Sequence, residues 1–253
     1  MKTSSSYETL QKSLLPLIPL WRSQALVSHG THQLSETQAL QRLLDSLPQH
    51  SIQRWDVLVK LVAASLSSHD TVDAACWLQR AHAWKNRHEA EQGAVIEIRS
   101  RQWITLSACS IAVEETDSAA AFAIRAWESS EQSWREDLLD DCVDSRADSM
   151  SLLAIIRVCQ RKADRAVTLL ERSSCLHRQV GDVEQLAADL LLESLCHETL
   201  GQAIAAEAAR REARSIVNDS LDETRHTRTS SLRRCVNRFG QKRPRLLKQS
   251  EML

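Results

Sequence analysis

The sequence predicts an all-α fold of stacked antiparallel helix pairs, and three observations point there. No proline lies between Gln49 and Arg243, and only 5 glycines occur in 253 residues, so the strongest helix breakers are nearly absent from the middle of the chain. Apolar residues recur at three- and four-residue steps, and long alternating β-branched runs are missing, which favours helix over strand. A step between small residues also recurs, seven positions apart: Ala39 and Ser46, Ala74 and Ala81, Ala119 and Ala126, Ala166 and Ser173, Ala206 and Ala213. An irregular helical bundle is the competing architecture.

In chain order, helices are expected over residues 20–28, 36–47, 51–67, 71–86, 88–113, 118–132, 136–160, 163–178, 182–199 and 202–217. The first two are separated by SHGTHQLSE, whose Ser35 with Gln38 three residues later suits a helix start. SLPQH, with Pro48, closes the second helix. SSHD offers Asp70 as an N-cap, and EETDS offers Asp117 or Ser118. QRKAD, QVGD and LG, two of them carrying a glycine, divide the last four helices.

The small-residue step has a physical reason. Seven residues are nearly two helical turns, so both small side chains lie on one face, where they let a neighbouring helix approach closely. The residue four places after the first is Leu43, Leu78, Ala123, Leu170 or Arg210, apolar in four of the five copies. The first small residues, at 39, 74, 119, 166 and 206, lie 35, 45, 47 and 40 apart. One helix pair cannot hide its apolar face, whereas a stack of pairs buries a continuous core. Arg210 is the polar member a last, solvent-facing copy should show, which places the end of the array near Asn218.

The formal net charge is −1, yet residues 220–253 carry nine Arg and Lys against three Asp and Glu. A basic tail on an acidic body suits an acidic partner, nucleic acid or an import receptor. The domain expectation is a flexible segment over 1–19, a helical-repeat domain over 20–218 and a largely disordered basic tail over 219–253. LLPLIPLW, at 14–21, is too short for a membrane span, and a secretory signal is not expected. Seven Cys at irregular spacings read as reduced thiols of an intracellular protein, cytoplasmic or nuclear.

Candidate chemistry is mostly negative. Cys-x-x-Cys, His-Glu-x-x-His, Gly-rich phosphate loops and Gly-x-Ser-x-Gly are all missing, so no catalytic residue, metal, cofactor or small-molecule substrate is expected. Cys175, His177, Cys196 and His197 fit buried thiols with partly exposed imidazoles better than a zinc site. The acidic run from Glu136 to Asp148 reads as a solvated helix face. Trp77 with Trp84, and Trp127 with Trp134, share helix faces seven residues apart and suit packing between hairpins, the alternative being an aromatic partner groove.

The step Ala-x3-(Phe or Leu)-x2-(Ala or Ser), with a Gly or polar turn about five residues upstream as in LGQAIAAEA, resembles the second helix of the tetratricopeptide repeat, whose period is about 34 residues. The resemblance spans roughly residues 20–217. The family's Trp-Leu-Gly-Tyr signature and closing Pro are absent, and the longer periods look like irregular tetratricopeptide-like arrays. The resemblance implies a right-handed superhelix of antiparallel helix pairs, with an inner surface lined by the first helix of each pair. Counted from each small residue, that surface includes Val59, Ala63, Arg101, Ile104, Ile155, Leu191 and Leu195. These are mostly apolar, so they suit an amphipathic partner segment and not a clamp for carboxylates.

The functional expectation is a non-enzymatic scaffold or adaptor within a larger complex, binding helical or extended segments of other proteins through this groove. The alternative is a regulator, transcription-related or a nuclear assembly subunit, whose tail contacts nucleic acid or an import receptor through Arg233, Arg234, Lys242, Arg243 and Arg245. Within RTSSLRR, Ser230 and Ser231 sit where basic-directed kinases act, and phosphate there would lower the local positive charge.

Overall fold

The structure is a computed structural model that describes residues 33–68, 70–93, 96–135 and 142–219. Among these residues there are helices and connecting segments and no strand: α1 (Gln33–Ser46), α2 (Gln53–Ser67), α3 (Thr71–Gln92), α4 (Ser100–Ala112), α5 (Thr116–Arg135), α6 (Cys142–Cys159), α7 (Ala163–Val180), α8 (Val183–Thr199) and α9 (Ala203–Asp219). None is long and apolar enough to cross a membrane. The helix expected at 20–28 and the tail from residue 220 onward lie outside the described residues, while residue 219, expected to begin the tail, closes α9.

One expected boundary is wrong for a reason visible in the sequence. The chain was expected to be helical over 88–113, but α3 runs to Gln92 and the next helix starts at Ser100. Gly93 takes φ +64° at the end of α3, and residues 96–99 carry no helix. There Ile96 and Ile98 are buried while Glu97 and Arg99 are exposed, the period-two pattern of an extended segment. The Glu89 carboxylate holds this segment to α3 by accepting the Ile96 N–H at 3.0 Å. Of the expected caps, Asp70 accepts the Asp73 N–H at 2.9 Å. Ser35 lies within α1, and Asp117 and Ser118 lie within the first turn of α5.

The links between α2 and α3, α4 and α5, α6 and α7, and α8 and α9 are copies of one turn. At each, the residue before the second helix donates its N–H to a carbonyl five residues back: Asp70 to Ser65, Glu115 to Ser110, Lys162 to Arg157 and Gln202 to His197, at 2.8–2.9 Å. Its own carbonyl accepts the N–H of Ala74, Ala119, Ala166 or Ala206 at 2.9–3.1 Å. Preceding it at the last three links are left-handed residues, Glu114, Arg161 and Gly201, with φ 68°, 59° and 73°, as a Schellman turn requires. One residue therefore closes a helix and opens the next. The small residue always falls on the first turn of the second helix, turned back toward its partner.

These small residues make the close approach that their spacing predicts. Ala74, Ala119, Ala166 and Ala206 are buried, as are Ala81, Ala126, Ser173 and Ala213. Beside Ala119 the helices come near enough for the Ser107 hydroxyl of α4 to donate to the Ala119 carbonyl at 2.8 Å. In α1, by contrast, Ala39 and Ser46 are exposed and Leu43 is 46% exposed. The fifth occurrence of the step is thus a feature of composition and not a packing face.

The chain divides into two compact units, with the division inside α5 at Ser129 and Ser130. In the first, α1 packs on α2, and α2 packs on both α3 and α4. Gln102 of α4 donates through Nε2 to Asp56 Oδ1 of α2 at 2.6 Å, and Trp103 stacks on Phe122 at 5.5 Å between ring centres with the Arg125 guanidinium over its ring. In the second, α6 packs on α7, α7 on α8 and α8 on α9, while α6 also meets α8. First helices of successive pairs thus pack against each other within each unit, α2 on α4 and α6 on α8.

Burial follows from that arrangement. In α8 every residue from Gln185 to Leu192, and Ser194 to Cys196, is buried, because three neighbours surround it. In α9 the buried positions among the described residues are the stripe of Ala206, Ala209, Ala213 and Val217. Arg210 lies between these residues, half-buried, and its guanidinium pairs with Glu198 of α8 and with Glu207.

Candidate functional site

The apolar positions expected to form a groove lie in the helix packing. Val59 of α2, Ile104 of α4, Ile155 of α6, and Leu191 and Leu195 of α8 are all buried, Ile155 and Leu191 with no accessible surface. A first helix between its own partner and the first helix of the next pair has little apolar face left to offer. Of the seven positions, Ala63 is half-buried and Arg101 is exposed. Ser230, Ser231 and the five basic tail residues lie outside the described residues.

The interior of the second unit instead contains a polar node that joins three helices. Asp189 of α8 is buried, and its Oδ2 accepts from the Ser173 hydroxyl of α7 at 2.6 Å and the Ser151 hydroxyl of α6 at 2.9 Å. Gln185 Nε2 donates to its Oδ1 at 3.4 Å. His177 of α7, also fully buried, places Nε2 3.5 Å from Asp189 Oδ2, 3.4 Å from Ser151 Oγ and 3.9 Å from Asp148 Oδ1. Burial pushes the Asp189 carboxyl up to about 7, and Asp182 adds to that rise, while Ser173, Ser151 and Gln185 pull it down. Both serines also reach a carbonyl of their own helix, Leu170 and Ala147. Protonated Asp189 can therefore become a donor while a serine turns to its backbone. A carboxylate in the apolar run AADLLLESL was the available signal of this node.

Two further expectations change here. His177 is wholly buried while Cys175 is exposed, the reverse of the expected roles for that pair, because His177 shares the Ala166 and Ser173 face of α7 and Cys175 does not. Asp148 is buried too, so the acidic run is not solvated throughout. Burial pushes the Cys109, Cys159 and Cys196 thiols up to about 12, 11 and 12 respectively.

On the surface of the first unit, α3 is 22 residues long beside an α2 of 15, and its last turns overhang the link between α1 and α2. Trp84, Arg87, His88 and Glu91, spaced i, i+3, i+4 and i+7, form one wall of an open pocket of about 340 Å³; Gln49, His50 and Arg54 form the other. Trp84 Nε1 donates to the Gln49 carbonyl at 2.8 Å, and its ring stacks on His88 at 4.7 Å. His50 Nδ1 lies 3.2 Å from Glu91 Oε2. Arg54 caps α1, its Nη1 donating to the Leu44 and Leu47 carbonyls at 2.8 and 2.6 Å. Exposure separates the tryptophans: Trp55, Trp77 and Trp103 are core, whereas Trp84 is half-buried at this pocket. The i, i+3, i+4, i+7 spacing of polar residues around Trp84 was the legible sign.

No family model matches the chain, and no curated protein matches it. Two solved structures are similar, both crystal structures of nearly identical TPR-like repeats from a Podosopora anserina protein described as a kinesin light chain. One, a point-substituted form, aligns with a TM-score of 0.52 at 15% identity over 86% of this chain and 98% of that one. The other aligns with a TM-score of 0.51 at 16% identity over 87% and 99%. The likeness shows the fold, an all-α tetratricopeptide-like solenoid of helix pairs.

Proposed function

We propose that this chain is a protein-interaction scaffold, a subunit that holds segments of partner proteins against its stacked helix pairs. The repeated turn carries this reading. By fixing each second helix to its first in the same way, it repeats one outward face on every pair, and within each unit the two packed pairs offer that face to a partner segment. Arg101, exposed on α4, and the half-buried Ala63 on α2 are the two groove positions that keep accessible surface. The basic tail, with Arg233, Arg234, Lys242, Arg243 and Arg245, supplies a second contact for an acidic surface.

The test is recovery of a stoichiometric partner with the full-length chain from native lysate. Two variants accompany it, Arg101→Glu and the pair Arg165→Glu with Arg172→Glu on the exposed side of α7, each checked for unchanged circular dichroism. Loss of the same partner by a folded variant supports the scaffold. Recovery unchanged by both variants and by removal of residues 220–253 sinks it.

A further inference from the structure

The pocket under the overhanging end of α3 has more cationic chemistry than its own acidic group accounts for. Two guanidiniums and two imidazoles line it against one carboxylate, Glu91, whose Oε2 lies 3.2 Å from His50 Nδ1. Arg87 is exposed and has no hydrogen-bond or ion-pair partner among the described residues. Arg54 is held in place by the two carbonyls at the end of α1, leaving a preset guanidinium whose Nε is buried and unpartnered. His88 Nδ1 is likewise buried without a partner. Unmet buried donors and acceptors are uncommon in folded proteins, and these two belong to residues on opposite walls of this pocket.

We infer that this pocket binds a phosphoryl group carried on a phosphorylated serine or threonine of a partner protein. Arg54 comes from α2 and Arg87 from α3, so an oxyanion between the walls meets two guanidiniums from different directions. A tetrahedral phosphate ester has enough acceptor oxygens for both, while a planar carboxylate is filled by one guanidinium fork. The Trp84 and His88 rings give the flanking backbone a flat surface to lie on. Because Arg54 is already fixed and Trp84 is tied to Gln49, little side-chain ordering is needed on binding. This assignment depends on the scaffold reading only for its source, a partner protein.

The experiment follows the Trp84 indole N–H in ¹⁵N spectra of the full chain, the signal being identified by its loss in Trp84→Phe. The probes are a short glycine-flanked phosphoserine peptide, its serine and glutamate counterparts, and inorganic phosphate. The expected result is a saturable shift of the Trp84 signal with the phosphoserine peptide, at least about tenfold weaker with the glutamate form and absent with serine. Arg87→Glu, a change at an exposed and unpartnered side chain, should weaken it about tenfold or more. No shift with any probe, equal shifts with all peptides, or binding indifferent to Arg87→Glu overturns the proposal. Inorganic phosphate binding as tightly as the phosphopeptide overturns the partner assignment in favour of a free-phosphate site. If the phosphopeptide binds while partner recovery fails, the scaffold reading falls and the pocket stands; the converse result spares the scaffold and removes the pocket.

Discussion

Asp189 is the residue whose surroundings conflict most with its chemistry. A carboxylate among leucines must be met by donors, and Ser151, Ser173 and Gln185 meet it from three helices. Burial still dominates, since its carboxyl rises from an ordinary 3.8 to about 7 in the fold. A raised acid stabilises the fold fully below its unfolded value and loses that contribution as pH climbs through the folded one. The expected outcome is an unfolding free energy, measured in urea, that falls between about pH 4 and 7 by at most about 1.4 kcal/mol per pH unit and levels off above that. Asp189→Asn, which keeps an acceptor and cannot ionise, should flatten that fall; an unchanged slope would mean that other groups set it. The thiols give a second check at this scale. Cys76 and Cys175 are exposed while Cys109, Cys159 and Cys196 are buried, with burial holding the last three protonated. Iodoacetamide labelling of the native protein followed by peptide mapping should modify the first two and spare the other three until denaturant is added.

At the scale of elements, the repeated turn controls how the pairs are made. Its left-handed position is Gly201 in the last pair but Glu114 and Arg161 in two earlier ones, and a side chain there costs on the order of 1 kcal/mol. Glu114→Gly should therefore stabilise the protein, by about 0.5–1 kcal/mol in urea unfolding. Gly201→Ala should destabilise by a similar amount, through backbone strain alone, because an added Cβ at Gly201 meets nothing within 4 Å. Equal effects of the same sign would show that the turns are not equivalent. This also explains why the sequence displayed its repeat so unevenly. The hydrogen-bond pattern is common to all four links, yet the residues in the left-handed place differ, so no motif marks it. What does recur is the alanine one turn later, since close packing of helices leaves space for little else.

Across the whole molecule, the legible part was what periodicity encodes: helix content, pairing, the small-residue face and the four links it marks. The wrong part was which faces stay open. Val59, Ile155 and Leu191 have the spacing of an apolar surface whether a partner covers it or the next helix does, and a single sequence does not distinguish the two. Their burial assigns them to the next helix. The pocket was hidden for a different reason, since it depends on α3 outlasting α2 and its end was expected at residue 86, not at Gln92. Stacking also predicts how stability is distributed in the second unit. There α8 has neighbours on three sides, while among the described residues α9 packs chiefly on α8 and reaches α7 through the exposed Arg178–Glu212 ion pair. In a nearest-neighbour stack the end layer opens first, so amides of α9 should exchange with deuterium sooner than those of α8. Ala213→Asp, placing a charge at a fully buried point of the α9 stripe, should release α9 while α6 and α7 keep their protection. Leu191→Ala, inside α8, should instead cost about 2–5 kcal/mol and lower protection in α6, α7 and α8 together. If Ala213→Asp also strips protection from α6 and α7, the unit unfolds as a single body, and α9 is part of its core and not its outermost layer.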